Sequence, residues 1–262
     1  MTVLVTGGTG GLGRPTTTLL RSAGHEVRVL SRRPGEGRAT GDLSTGSGLA
    51  DALTGVDTVL HLATTGRSDA AQTTHLLDAA KPAGVAHLIY ISIVGVDEVP
   101  LGYYRDKLAC ERLIEASGIP FTILRATQFH DFVAAVFRPQ RHLPVLISLD
   151  VLDQPIAVDE VAERLTELAA SRPAGRVADI GGPETRPVRE FAEIWQRAHG
   201  THRPIWNLPV PGGMGRAMRR GDHTTALPGF GRQTFAQYAA ADAARLDVAD
   251  ARRGSPGGTD EP

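Results

Sequence analysis

Apolar positions in the first half of the chain fall in short β-branched runs that alternate with segments of helical period. Val3-Leu4-Val5 is the first run; it stops at Thr6 and a glycine-rich turn, after which Pro15 to Ala23 reads as a helix. Glu26 to Ser31 alternates as a second strand and ends in Arg32-Arg33-Pro34. A third strand is expected to finish at Gly41-Asp42-Leu43, before a short helix from Gly48 to Leu53. Val56 to Thr64 is nearly continuous in apolar residues, the pattern of a parallel strand covered on both faces. Asp69 to Ala83 predicts a helix ended by Gly84, His87 to Ile93 a fifth strand, Tyr103 to Ser117 a helix and Phe121 to Arg125 a sixth strand. Strands and helices alternating at these intervals specify an α/β fold on a doubly wound parallel sheet.

Beyond residue 127 that regularity is lost. Phe132 to Leu149 is mixed, Val158 to Ser171 an amphipathic helix, Arg176 to Ile180 a strand and Glu190 to His199 a helix. Pro204 to Pro211 reads as extended chain and Met214 to Arg220 as a short basic helix. The expected organisation is a nucleotide-binding domain over 1–127, a smaller α/β substrate-binding region over 128–253 packed on it, and a frayed tail over 254–262, where apolar groups are few.

The turn after the first strand carries the first candidate chemistry. Its spacing is Gly7-x-x-Gly10-x-x-Gly13. Gly7 turns the chain out of the strand, Gly10 omits a side chain where a pyrophosphate approaches the backbone, and Gly13 lets helix and strand pack closely. The phosphates then rest on free helix N–H groups. One strand later, Ser31, Arg32 and Arg33 supply a hydroxyl and two guanidinium groups where a fold for NAD places a carboxylate on the ribose, so NADP(H) is the expected cofactor. Asp42 either accepts from an adenine amino group or caps a turn.

Composition narrows the partners. The formal net charge of −1 gives no general pull toward nucleic acid or an anionic membrane surface, so a small-molecule substrate is the expected partner. The single cysteine, Cys110, makes no internal disulfide and no thiolate metal site, and it reads as a small buried apolar residue. No metal-ligand cluster is legible. The chain opens on a strand and a glycine turn rather than a charged segment and an apolar leader, and no apolar run spans a bilayer, which points to a cytoplasmic protein, monomeric or homodimeric. Only Lys81 and Lys107 are lysines, against 26 arginines.

These residues together resemble the short-chain dehydrogenase/reductases, in their atypical, NmrA-like branch. The resemblance rests on Thr6-Gly7-Gly8-Thr9-Gly10-Gly11-Leu12-Gly13, Leu30-Ser31-Arg32-Arg33-Pro34, Gly41-Asp42-Leu43, Tyr103-Tyr104-Arg105-Asp106-Lys107 and Thr127-Gln128-Phe129-His130-Asp131-Phe132. It implies a Rossmann fold and cofactor contacts from Gly7, Thr9, Gly10, Gly11, Leu12 and Gly13. Ser31, Arg32, Arg33, Asp42, Leu43, Ala63, Thr64 and Lys107 are implied alongside them. Tyr103-x-x-x-Lys107 matches the family's catalytic pair, and residues four apart on a helix face the same way, about 5–6 Å between Cβ atoms. The ammonium and an oxidised nicotinamide would both favour phenolate at Tyr103. In a chain that writes basic residues as arginine, a lysine at this position suggests a contact that arginine would not satisfy. Ser92 matches the serine that orients the substrate oxygen while Tyr103 delivers the proton.

Gln128, Phe129 and His130 follow the sixth strand at the carboxyl edge, where open α/β sheets bind ligands, and are candidates for the substrate pocket. His130 is either a second acid-base group or a histidine bonded within the wall. Two departures stand out: the family's catalytic asparagine has no counterpart, and Ser92 lies closer to Tyr103 than is usual. The expected activity is NADPH-dependent hydride transfer to a small carbonyl or quinone-like substrate. The departures keep open a non-catalytic NADP(H) sensor, or a dehydratase or epimerase that retains its nucleotide.

Overall fold

The computed structural model describes residues 1–225 and 229–254. In the first half, β1 (Thr2–Thr6), α1 (Gly13–Ser22), β2 (Glu26–Ser31), β3 (Arg38–Thr40) and α2 (Leu49–Ala52) lead to β4 (Thr58–His61). α3 (Asp69–Ala80), β5 (His87–Ile93), α4 (Gly102–Ala116) and β6 (Phe121–Ala126) follow. The second half adds α5 (His130–Phe137), a 3-10 turn (Arg138–Gln140), β7 (Leu146–Leu149), β8 (Leu152–Asp153), α6 (Val158–Ala169) and β9 (Gly175–Arg176). It closes with β10 (Arg186–Pro187), α7 (Val188–Ala198), β11 (Ile205–Leu208), α8 (Gly212–Arg220) and α9 (Phe235–Gly254).

Seven strands form one parallel sheet in the order β3-β2-β1-β4-β5-β6-β9. The order reverses between β1 and β4, and a reversal of this kind opens a crevice at the carboxyl ends of the strands. Two apolar layers enclose the sheet. Leu49, Leu76, Cys110 and Ile114 of α2, α3 and α4, with Leu53 just after α2, cover one face, and Leu20, Val161 and Leu165 of α1 and α6 the other. The chain beyond Gln128 therefore does not all leave the sheet: α6 covers one face, and β9 pairs with β6 as the last strand. The strand expected over Arg176 to Ile180 is interrupted, with two residues in β9 and a separate bridge from Ile180 to Ala126.

The rest of the second half has its own core, in which Phe137, Leu146, Phe191, Trp195 and Phe235 meet. α9 is the element that the apolar pattern does not reveal. Its core-facing residues, Phe235, Tyr238, Ala239 and Asp242, follow helical spacing, but alanines blur the contrast with the outer face. A local signal was present in Thr234-x-x-Gln237: Thr234 N donates to Gln237 Oε1 at 2.9 Å and Gln237 N donates back to Thr234 Oγ1 at 3.2 Å, a capping box. Apart from Gly254, the expected frayed tail lies outside the described residues. Among the described residues no helix is long and apolar enough to cross a membrane.

One buried ionic cluster ties β6 to α4. Arg125 Nε and Nη2 donate to Glu111 at 2.9 and 2.6 Å, and Nη1 donates to both oxygens of Asp97 at 3.0 and 2.9 Å. Glu111 is buried, whereas Asp97 reaches water. Removing one partner of a buried pair strands the other charge, at a cost of about 3–5 kcal/mol, whereas replacing both with apolar groups is often neutral. Arg125→Met should therefore lower stability by about that amount in urea unfolding, and adding Glu111→Met should restore most of it.

Candidate active site

The glycine turn sits at the sheet's reversal. Gly7 has φ +69°, and a Cβ there would lie 2.7 Å from Ala63 N. A Cβ on Gly13 would overlap the Gly7 carbonyl oxygen, so the third glycine is required by helix-strand contact. A Cβ on Gly10 would come 3.2 Å from that same oxygen, and one on Gly11 would meet nothing within 4 Å. No side chain caps α1; Arg14 N donates to the Gly10 carbonyl at 3.1 Å and Pro15 has no N–H, so Gly13 N is the helix N–H left for an anion.

Thr6 holds the two sides of the reversal together. Its Oγ1 accepts from Leu62 N and Ala63 N, each at 3.2 Å, and gives its own proton to His61 Nδ1 at 2.7 Å. His61 Nε2 then carries the ring proton and donates to Thr73 Oγ1 at 3.0 Å. Burial pulls His61 down to about 3, so it is a neutral packing group, as its place in an apolar strand suggests.

A cleft of about 720 Å³ opens over this turn. Gly7, Thr9, Ser31, Arg32, Arg33, Asp42, Leu43 and Ala63 line it, together with Leu30, Gly41, Ser44, Thr65 and Gln72, which sequence reasoning did not single out. Gly10, Gly11, Leu12, Gly13, Thr64 and Lys107 are not among the lining residues. Ser31 Oγ accepts from Arg33 N at 3.1 Å and shapes the arginine turn. Both arginines are exposed, and among the described residues neither side chain meets a carboxylate or another acceptor. Asp42 caps the turn, its Oδ1 accepting from Ser44 N at 2.8 Å, and the residue also lines the cleft. A glycine cradle, an uncapped helix start and two unpaired cations fit a dinucleotide with an added phosphate.

At the other end of the cleft wall, Ala63 and Thr65 flank Thr64. Thr64 Oγ1 lies 2.5 Å from Asp69 Oδ2 and 3.3 Å from the Tyr103 hydroxyl. Asp69 Oδ1 accepts from Thr65 N at 2.7 Å and Gly66 N at 3.2 Å, and Oδ2 faces Lys107 Nζ at 3.9 Å. Asp106, from the Tyr-Tyr-Arg-Asp-Lys segment, accepts from the N–H groups of Asp69 and Ala70 and caps α3. Sequence reasoning placed Asp69 only as a helix start; its spacing after Thr64 and Thr65 was the one local signal.

Lys107 is 3% exposed. Its Nζ donates to the Ile91 carbonyl at 3.4 Å and lies 4.8 Å above the Tyr90 ring and 5.9 Å from the Tyr103 ring. Burial pulls its ammonium below the ordinary lysine value, and Asp69 offsets part of that. Burial also opposes ionisation of Asp69, but bonds from Thr64 and Thr65 and the nearby ammonium hold it below the carboxylate range. The expectation that Lys107 favours phenolate is corrected here. Burial raises the Tyr103 phenol, the Asp69 charge adds to that, and Asp69 also neutralises the lysine.

By strand alternation Ser92 shares the face of Leu88 and Tyr90, the ring beneath Lys107 Nζ, and among the described residues its buried Oγ has no hydrogen-bond partner. The hydroxyl beside Tyr103 is that of Thr64. Gln128 Nε2 donates to the Tyr104 hydroxyl at 2.8 Å, and burial pushes that phenol up to about 12. Phe129 is half-buried against the layer that includes Leu12. His130 takes the wall position: it is buried, Nε2 meets the Gln233 carbonyl at 3.1 Å, and its ring stacks on Tyr238. Cys110 is buried, as expected. Among the described residues no group of three or more His, Cys, Asp or Glu could hold a metal ion.

Residues 7–171 match a family described as NAD(P)H-binding. The (4-alkanoyl-5-oxo-2,5-dihydrofuran-3-yl)methyl phosphate reductase of Streptomyces griseus is 30% identical over 217 residues, which span 78% of this chain and 75% of that one. The NADPH complex of the Escherichia coli NADPH-dependent quinone oxidoreductase has the same fold, with TM-score 0.74 and 20% identity over 94% of this chain and 99% of that one. So does the triphenylmethane reductase of Citrobacter sp. with NADP(H), at TM-score 0.78 and 18% identity over 93% of this chain and 100% of that one. With the glycine cradle at the sheet reversal and the Tyr103-x-x-x-Lys107 helix beside it, the chain belongs to the NAD(P)H-binding family, in the atypical, NmrA-like branch of the short-chain dehydrogenase/reductases.

Proposed function

We propose that this protein is an NADPH-preferring reductase that transfers a hydride to a small carbonyl or quinone-like acceptor, with Tyr103 as the general acid. The observation that carries the reading is the Tyr103 hydroxyl 3.3 Å from Thr64 Oγ1, since Thr64 sits between Ala63 and Thr65, which line the cleft. The Streptomyces griseus relative is a reductase by name, which favours the same class. When bound, the reduced nicotinamide supplies the hydride. The chain itself has three tasks: the glycine turn and α1 hold the pyrophosphate, Arg32 and Arg33 grip the 2′-phosphate, and Tyr103 protonates the oxygen that gains charge. Gln128 and Phe129, at the carboxyl edge, are the proposed substrate contacts.

A phenol raised above its ordinary value is protonated at neutral pH, the state that a proton donor needs. Lys107 and Asp69 act beneath it as a neutral pair, so the lysine in this reading supports the acid's position. A nucleotide sensor is the second reading, favoured by the sealed Ser92 hydroxyl and the missing asparagine. NADPH binding without turnover on a broad panel of quinones, aldehydes and ketones would favour it.

Cofactor choice is the first test. Two charge-assisted contacts of about 1.5–3 kcal/mol each, less desolvation, should give at least about a tenfold preference for NADPH over NADH. Arg32→Ala should remove most of that preference in calorimetric titration and leave NADH affinity nearly unchanged; equal affinities for the two nucleotides in the unaltered protein would sink the assignment. Chemistry is the second. Tyr103→Phe keeps the ring and should lower kcat by about 10²–10⁴-fold, with NADPH affinity unchanged within about twofold. The third concerns pH. Because the Tyr103 pKa is raised, the acid stays protonated through neutrality, and kcat/KM for reduction should hold level until above about pH 10, then fall.

A further inference from the structure

Asp69 divides its two oxygens between different tasks. Oδ1 alone closes the loop after β4, accepting from Thr65 N, Thr65 Oγ1 and Gly66 N at 2.7, 3.1 and 3.2 Å. Oδ2 is not needed for that closure. It takes the Thr64 hydroxyl at 2.5 Å and faces Lys107 at 3.9 Å. The N–H groups at the start of α3 are already satisfied by Asp106, which leaves both Asp69 oxygens for the loop and the site. Asp69 and Lys107 are 2% and 3% exposed, so water does not compete for these contacts.

Thr64 has one proton. A buried carboxylate at 2.5 Å binds it far more strongly than a neutral phenol oxygen at 3.3 Å, so Thr64 meets Tyr103 with lone pairs. It therefore accepts from the phenol. We infer that Asp69 is a positioning residue that fixes Tyr103 as a proton donor by holding the Thr64 proton, an inference that rests on Tyr103 being the acid.

Other groups around Tyr103 do not reverse this. Asp69 on α3 and Asp106 on its own helix are negative, Cys110 is a buried thiol, and the Lys107 ammonium is paired with Asp69. The Tyr104 ring presents an edge at 6.3 Å between centroids. A phenolate here would confront the Thr64 lone pairs, with no hydroxyl proton turned toward it. Burial is the main cause of the raised Tyr103 phenol and the Asp69 charge adds to it, whereas a Thr64 hydroxyl donating to the phenol oxygen would lower it, so the direction of the Thr64–Tyr103 bond rests on the 2.5 Å contact between Thr64 and Asp69. The consequence is the protonation state in which the site waits: Tyr103 is held as the phenol that reduction needs, in which the substrate carbon gains a hydride, the C=O π pair moves to oxygen, and that oxygen takes the Tyr103 proton to become the product hydroxyl. Oxidation in reverse needs a phenolate base, which the Asp69–Thr64 pair disfavours.

The test reads the Tyr103 phenol directly, by ultraviolet titration of phenolate in each variant minus the same variant carrying Tyr103→Phe. Asp69→Asn should lower the Tyr103 midpoint by at least about one pH unit. The same shift should appear with Thr64→Ser, which keeps the hydroxyl, and should shrink to less than half with Thr64→Val. Equal shifts with and without the hydroxyl, or no shift, would overturn the inference. Should Asp69→Asn fail to fold, the midpoint must still be unchanged in Thr64→Ser and displaced in Thr64→Val; an unmoved midpoint in Thr64→Val overturns it as well. Turnover that survives Tyr103→Phe would instead refute the acid assignment, and the midpoints would report separately on the Asp69–Thr64–Tyr103 coupling.

Discussion

The site depends on how closely two strands approach where the sheet reverses. The Gly7 backbone lies so near residue 63 that a Cβ on Gly7 would be 2.7 Å from Ala63 N, and Thr6 Oγ1 binds Leu62 N and Ala63 N from the same side. One strand end carries the phosphate turn; the other carries Ala63, Thr64 and Thr65. A single backbone contact thus ties the glycine turn to the strand end that meets Tyr103, and Gly13 against the Gly7 carbonyl fixes the direction of α1.

Two buried ionic sites illustrate different uses of charge. Arg125 has a planar fork satisfied by two carboxylates at hydrogen-bond distance, a geometry that locks β6 to α4. Lys107 is held loosely, by Asp69 at 3.9 Å, the Ile91 carbonyl at 3.4 Å and an aromatic face. That looseness leaves Asp69 free to bind the loop and Thr64. The chain's other lysine, Lys81, donates to the Ser117 carbonyl at 2.9 Å, just past the end of α4. Both lysines therefore reach carbonyls that a compact ammonium can approach from many directions, so rarity of lysine marks a geometric need and not by itself a catalytic one.

The alternation of apolar runs, the three spaced glycines and the cluster Ser31-Arg32-Arg33 are local patterns, and the architecture, the glycine turn at the sheet reversal and part of the cleft's lining were legible from them. Strand alternation and helix period depend on near neighbours, so the sequence by itself determined them. The partners of Tyr103 and of the groups around it depend on contacts between residues far apart in the chain. Thr64 meets Tyr103 across 39 positions, Asp69 meets Asp106 across 37, and His130 meets Gln233 across 103. Ser92 shows the same limit from the other side: its place at the end of β5 was readable, but the burial of its hydroxyl was not. Only the tertiary structure decided that Thr64 is the hydroxyl at Tyr103 and that Asp69 neutralises Lys107, because burial and charge pairing are set by the packing of α3 on α4.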